Sequence, residues 1–172
     1  DYQWYEIQDS TKYYPEFEKE KIIWGLTADK WAFAYDDTGY YLPSNGYILT
    51  SSVISIKYLL SLINSKLMMF YFDFIGIMTA GGAYTLKQET VREFPIKEIS
   101  DSLQKPFIHK VESILQLNYN FQEEVNGFKH WIQKEFNVEK LSQKLEKYYE
   151  LSEDEFIDEM RKKKVDTKSR KN

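Results

Sequence analysis

The segment from Ile54 to Ile77 constrains the fold most, because it is the most apolar stretch of the chain. Its apolar residues recur at helical spacing, and the pair Asn64-Ser65 interrupts the pattern near its middle. A membrane-spanning helix would not carry the polar side chains that lie within the segment, such as Lys57 and Asp73. The segment is therefore predicted to form two helices buried in protein, and no membrane contact is expected.

Short aromatic-rich segments on either side of these helices are predicted to be strands. They are separated by turn sequences such as Asp-Asp-Thr-Gly at 36–39 and Pro-Ser-Asn-Gly at 43–46. The predicted strands are 21–26, 31–35, 40–42, 47–50 and 84–86. The first four predict a meander, and the large aromatic residues are expected in its core, namely Trp24, Phe33, Phe70 and Phe94.

The second half of the chain is predicted to be helical. One helix is expected from about Ser102 to a stop at Phe136-Asn137, with Pro106 in its first turn, and a second over 138–149. Ser152 and Glu155 have capping-box spacing and predict a last short helix. The prediction is an α+β fold, in which a small, mostly antiparallel sheet with packed helices precedes an all-helical part. The predicted divisions are 1–100, a helical brace at 101–160, and a disordered basic tail at 161–172.

The sequence lacks the motifs that catalysis would need. There is no cysteine, which excludes a thiolate metal site and fits a reducing, cytoplasmic location. His109 and His130 have no companion ligands at metal spacing. The proline pair with which amino-methyltransferases grip a flipped base is missing, and the one carboxylate-x-lysine triplet, Asp166-Thr167-Lys168, falls in the predicted tail. We expect no enzymatic activity and no cofactor in this chain.

The charge balance does not by itself predict a nucleic-acid partner. The chain has 23 Lys+Arg against 27 Asp+Glu, a net charge of −4, whereas a stand-alone DNA-binding domain usually has a basic excess. A recognition module can be neutral if another domain provides most of the phosphate contacts. The chain also begins without an initiator methionine, as expected for part of a longer polypeptide.

Three motifs, taken in order, resemble a known family. The first is Lys-Ile-Ile-Trp at 21–24, followed by Trp-Ala-Phe-Ala-Tyr-Asp at 31–36 and Tyr-Tyr-Leu at 40–42. The second is the Leu-Leu-Ser-Leu-Ile-Asn-Ser helix at 59–65, and the third is Gly-Gly-Ala-Tyr-Thr-Leu at 81–86 leading to Arg-Glu-Phe-Pro-Ile at 92–96. Together they resemble the TaqI-like C-terminal specificity domain of type II restriction–modification enzymes. The helical remainder is similar to the end of fused restriction–methylation polypeptides.

The resemblance implies double-stranded DNA as a partner and an adenine-N6 methyltransferase domain upstream in the parent chain, in many members with a nuclease as well. S-adenosylmethionine and magnesium would then be cofactors of the parent. Base recognition needs donors and acceptors on loops, with Lys or Arg on phosphates. On that basis the predicted DNA-binding residues are Lys12, Tyr13, Lys21, Lys30, Trp31, Asn45, Tyr84, Lys87, Gln88 and Arg92.

Two other functions remain open from the sequence. The acidic charge and the lack of a basic stripe favour a non-catalytic protein–protein docking module. Exposed aromatic residues would instead favour a single-strand binder that stacks bases. A concave basic face would indicate DNA, and a flat apolar patch would indicate docking.

Overall fold

The computed structural model describes residues 3–4, 12–163 and 165. The chain forms two compact units, 1–114 and 115–172. The sequence predicted this division near residue 100, at the start of the long helix; the division observed lies inside that helix. The predicted α+β class is confirmed, since small antiparallel sheets and packed helices make up the first unit and helices the second.

The first sheet has β1 (Lys21–Gly25) at its centre, between β3 (Ala34–Asp36) and β4 (Gly46–Leu49). Both pairings are antiparallel, with Ile22 opposite Tyr35 on one side and Leu49 on the other. A 3-10 turn over Tyr14–Glu18 precedes β1. Because β1 is paired on both sides, it is the most protected strand of this sheet.

The predicted meander is wrong, because β4 pairs with β1 rather than with β3, and a second sheet forms as well. After β1 the chain leaves the first sheet and forms β2 (Thr27–Ala28), which pairs with β6 (Tyr84–Thr85). The hairpin partner of β6 is β5 (Ile77–Met78), which gives the order β2-β6-β5. Residues 40–42, predicted to be a strand, are not in regular structure. The pairing of β2 joins segments far apart in sequence, which a local pattern does not encode.

The break at Asn64-Ser65 is confirmed and has a structural reason. Helix α1 (Ile56–Ile63) ends there and α2 (Lys66–Ile75) begins, with the Ser65 hydroxyl accepting a hydrogen bond from the Met68 amide. The Asn64 side chain accepts from the Phe33 amide at 3.2 Å and donates to the Phe33 carbonyl at 2.8 Å. Asn64 therefore completes the backbone pairing that Phe33 would otherwise lack.

Aromatic rings build the core of the first unit. Trp24, Phe33 and Phe94 are buried, as predicted, and Trp31 packs its ring against Phe94 with 5.9 Å between ring centroids. The prediction for Phe70 is wrong, because its side chain is 60% exposed. Only one side of α2 packs on the core, through Met68 and Phe72, so the apolar residues on its other side remain exposed.

Two further helices complete the first unit. The short α3 (Gln88–Arg92) was not predicted. The long α4 (Asp101–Glu135) begins close to the predicted start, but Pro106 is its sixth residue and lies beyond the first turn. Within the first unit, Lys57 pairs with Glu112 of α4 at 2.8 Å, and the Tyr58 hydroxyl donates to the Lys97 carbonyl at 2.8 Å.

The second unit packs around its own apolar cluster. The buried residues of this cluster are Ile132, Val138, Leu141, Leu145 and Met160. Helix α4 ends before Asn137, which has a positive φ of 52°, as the predicted stop requires. The predicted helix at 138–149 is wrong: only a 3-10 segment, Leu145–Glu150, forms there. The capping box of Ser152 and Glu155 is confirmed at the start of α5 (Glu153–Lys162).

The C-terminal tail was predicted to be disordered from residue 161, but Arg161 and Lys162 are the last residues of α5. Most of the remaining tail, including the Asp166-Thr167-Lys168 triplet, lies outside the described residues. Across the described part of the chain, no helix is both long and apolar enough to cross a membrane.

Candidate nucleic-acid interface

Backbone hydrogen bonds to Leu26 join two of the predicted DNA-binding segments at one end of β1. The Leu26 amide donates to the Asn45 carbonyl at 2.9 Å, and the Leu26 carbonyl accepts from the Leu86 amide at 2.7 Å. The buried Trp24 indole also donates to the Leu86 carbonyl, at 3.0 Å. The turn carrying Asn45 and the segment that continues to Lys87 are therefore fixed to the same point of the fold.

Three cationic residues of this region are exposed to solvent, namely Lys30, Lys87 and Arg92. Lys87 is the N-cap residue of α3, and Arg92 ends that helix. Lys30 lies just beyond β2. In the part of the chain that the structure describes, none of these three cations takes part in an ion pair. They can therefore contact phosphates without breaking an existing interaction.

The same region also carries carboxylates, so its net charge is small. Glu89 and Glu93 are exposed at α3, among the exposed Lys87, Gln88 and Arg92. Phosphate attraction scales with the number of uncompensated cations. The local charge therefore favours weak DNA binding by this chain alone.

Trp31 has a structural role in this region. Its indole N–H donates to the Ile63 carbonyl at 2.9 Å, and its ring lies 5.2 Å from Phe72 and 5.4 Å from Tyr84. A base cannot take the indole N–H without displacing the carbonyl. Trp31 therefore holds the Lys30 loop against the core. Tyr84 is half-buried by the same contacts, and among the described residues its hydroxyl has no hydrogen-bond partner.

The prediction that Lys21 reaches a phosphate from a sheet edge is wrong. Lys21 is fully buried on the central strand, where its ammonium pairs with Asp36 and donates to the Phe17 carbonyl. Burial alone would raise the pKa of Asp36, but hydrogen bonds from Lys21, Thr38 and Tyr40 outweigh it and lower the pKa to about 2. The pair stabilises the sheet, and the buried Lys21 ammonium is not accessible to DNA.

Lys12 and Tyr13 lie at the other end of β1 from the Asn45 and Lys87 segments. The Tyr13 ring is 6.1 Å from Phe17 in the 3-10 turn that leads into Lys21. A five-residue strand spans roughly 13 Å between its ends. Three glutamates in this segment balance its three lysines, so it carries no basic excess over residues 12–21. The structure therefore does not bring Lys12 and Tyr13 together with the other predicted residues.

Residues 2–96 match the family model described as the TaqI-like C-terminal specificity domain, which covers more than half of the chain. The chain belongs to this specificity-domain family. The resemblance seen in the sequence is thereby confirmed, and it assigns a DNA sequence-specificity role in restriction–modification systems. Residues 100–172 of the chain match a second family model, a domain of unknown function (DUF8810). No curated protein matches the chain.

The specificity domain also has an exposed sheet surface that the sequence reasoning missed. Thr27, Thr85 and Ile77 are cross-strand neighbours in the second sheet. The alternation of apolar and polar residues over Tyr-Thr-Leu-Lys at 84–87 is the signal that would have placed Thr85 on the outer side. Their partners in the sheet, however, could not be read from local sequence.

Two features of the specificity domain bear on the cofactors implied for the parent enzyme. Over residues 3–4, 12–163 and 165, no group of three or more His, Asp or Glu side chains could hold a metal ion. The glycine-containing loop at Gly81-Gly82 is a hairpin connection, closed by a 2.8 Å bond between the Thr79 amide and the Ala83 carbonyl. The Gly81-Gly82 loop therefore has a structural role as the connection between β5 and β6.

Proposed function

We propose that this specificity domain reads a short duplex DNA site and directs an adenine-N6 methyltransferase that is linked to it in the parent enzyme. Where the parent also carries a magnesium-dependent nuclease, the same reading directs cleavage. The observation that supports this is that Lys30, Lys87 and Arg92 are exposed and, among the described residues, without an ion pair, in a chain of a DNA-specificity family. S-adenosylmethionine would be bound by the linked methyltransferase domain.

Exchange of the domain tests this proposal. Residues 1–100 would replace the corresponding specificity domain of a related adenine methyltransferase with a different site. The hybrid should methylate the site of this chain's parent, because base-edge contacts set the position of the flipped adenine. Mapping N6-methyladenine on plasmid DNA measures the result. A folded, active hybrid that keeps its original site would contradict the proposal.

The outer face of α2 supports a second function, docking of the linked enzyme domain. Leu67, Phe70 and Phe74 are 75%, 60% and 71% exposed, and they lie on one side of the helix. Leu67 and Phe70 also line an apolar groove of about 530 Å³ with Tyr58 and Phe107. Contiguous exposed apolar surface of this kind is typical of protein interfaces.

Substitutions on α2 distinguish docking from DNA reading. Phe70→Gln with Phe74→Gln should lower methylation by the parent enzyme while leaving its site preference unchanged. Val53→Gln is the matched control, since Val53 is 83% exposed and outside α2. A change of site preference in the Phe variants would instead assign the α2 face to DNA.

A further inference from the structure

Three residues of the second sheet share one face. Tyr84 and Leu86 point into the core, since Leu86 is fully buried and Tyr84 contacts the Phe72 ring. Side chains alternate along a strand, so Thr85 points to the opposite side. Residues directly opposite each other in antiparallel strands share a face, which adds Thr27 and Ile77. We call Thr27, Thr85 and Ile77 the outer row.

The outer row has no evident role in holding the fold together. Ile77 is 55% exposed, and Thr27 is exposed as well. In the part of the chain that the structure describes, the hydroxyls of Thr27 and Thr85 have no hydrogen-bond partner. The hydroxyl of the exposed Thr27, that of the half-buried Thr85 and the aliphatic side chain of Ile77 are therefore available to a ligand.

The position and surroundings of the row match a DNA groove. The major groove is about 12 Å wide and admits a two-stranded β-ribbon. Strands β5 and β6 form such a ribbon, with Thr27 of β2 directly beside Thr85. Lys87 follows Thr85 by two residues and is exposed without an ion pair, so a cation stands beside the row for the phosphate backbone. This charge, and the family of the chain, select duplex DNA as the occupant.

We propose that the outer row is a specificity-determining surface that reads base edges in the major groove. The Thr27 and Thr85 hydroxyls would bond base-edge donors or acceptors, and Ile77 would contact the 5-methyl group of a thymine. The hairpin between β5 and β6 presents Ile77 in a fixed position, because the Thr79 hydroxyl and carbonyl accept from Ala83 and Gly82 at 3.0 and 2.9 Å. The proposal rests on the DNA-reading function proposed above.

Selection from a randomised duplex pool at low salt, followed by sequencing, gives the site preference of the full chain. Each thymine of the selected site is then replaced by deoxyuridine, which removes only the methyl group. At one position the chain should lose about fourfold in affinity, which corresponds to the free energy of burying one methyl group. Ile77→Ala should bind the thymine and uracil duplexes equally. Ile77→Thr, which retains a β-branched residue on the strand, is a second variant if Ile77→Ala folds poorly.

The threonines are tested in the same assay by Thr27→Val and Thr85→Val, which keep the shape and remove the hydroxyl. Either should relax the preference at one base pair by at least fivefold, while Val53→Ala, at a residue 83% exposed elsewhere, should change nothing. If the wild-type chain selects a site but all row variants keep its preference and its sensitivity to uracil, the outer row is refuted and the DNA-reading function stands. If the wild-type chain selects no site, both proposals fail.

Discussion

Lys21 and Asp36 lie directly opposite each other on β1 and β3, and their side chains form an ion pair that is almost closed to water. Thr38 and the Tyr40 amide donate further hydrogen bonds to the same carboxylate, the Thr38 hydroxyl at 2.6 Å. The pair thus fixes the 3-10 turn, β1 and the loop after β3 at one end of the sheet. A lysine that the sequence offered as a DNA contact is instead a structural residue.

Breaking this pair should be costly. Lys21→Met leaves the Asp36 carboxylate buried without its ammonium partner, and we expect the free energy of unfolding to fall by about 3–5 kcal/mol. Urea denaturation followed by circular dichroism measures the change. Lys19→Met is the control: Lys19 pairs with Glu16 on the surface, so its loss should cost less than about 1 kcal/mol. Equal effects of the two substitutions would show that the buried pair contributes little.

The same pair predicts how stability depends on pH. The pKa of Asp36 is lowered from an ordinary 3.8 to about 2 in the folded chain. A carboxyl with a lowered folded-state pKa stabilises the fold above its unfolded pKa, and this contribution disappears as the pH falls through the folded value. Asp36 should therefore supply about 2 kcal/mol at pH 5 that is lost by pH 2.

Denaturation between pH 5 and pH 2 tests this dependence. Asp36→Asn should be less stable at pH 5 and should show a shallower decline toward pH 2 than the wild-type chain. Asp29→Asn serves as the control, because Asp29 is exposed and, among the described residues, is not part of an ion pair. Parallel pH profiles for wild type and Asp36→Asn would disprove the assignment.

Features governed by neighbouring residues could be predicted from the sequence. The break between α1 and α2 and the capping box of α5 depend on side chains that bond the backbone within three residues, at Ser65 and Ser152. The stop at Asn137 is local as well. The β1 and β4 strands were also placed correctly, since their composition is clear.

Features that depend on distant partners could not be predicted. Lys21 lies opposite Asp36 because β1 pairs with β3, and Thr27 lies opposite Thr85 because β2 pairs with β6 in the second sheet. Phe70 could not be placed for a different reason. The spacing of apolar residues correctly predicts a helix there, but whether the Phe70 side chain is buried depends on what packs against that side of the helix. The sequence therefore indicated which segments belong to the candidate site, but which side chains of those segments face solvent depends on the fold.

Asn64 gives a prediction about loop positioning. Its amide group bonds both the amide and the carbonyl of Phe33, so Asn64→Ala should lower the free energy of unfolding by about 1–3 kcal/mol. Asn64→Asp should cost at least as much, because a carboxylate would face the Phe33 carbonyl. Asn120→Ala is the control, since the Asn120 side chain bonds only Gln116 among the described residues, on an exposed helix surface. Its effect should stay within about 0.5 kcal/mol. No difference between Asn64→Ala and the control would rule out this role.

Replacing the cations at the two ends of α3 separates phosphate contacts from base contacts. Lys87 and Arg92 are exposed at its two ends and unpaired within the described residues, so each can serve in either role. If a residue contacts a phosphate, its replacement by Ala should weaken binding to all sequences alike and lower the slope of log K against log salt by about one unit. If it contacts a base, Ala should cost about 1–3 kcal/mol at one position of the site and leave the slope nearly unchanged.

Lys140→Ala, at an exposed position of the second unit, is the control and should alter neither the slope nor the site preference. Fluorescence anisotropy with the selected duplex and a scrambled duplex between 20 and 200 mM salt (roughly the range over which phosphate contacts dominate) measures both effects. Unchanged affinity, slope and preference in both Lys87→Ala and Arg92→Ala would remove α3 from the interface.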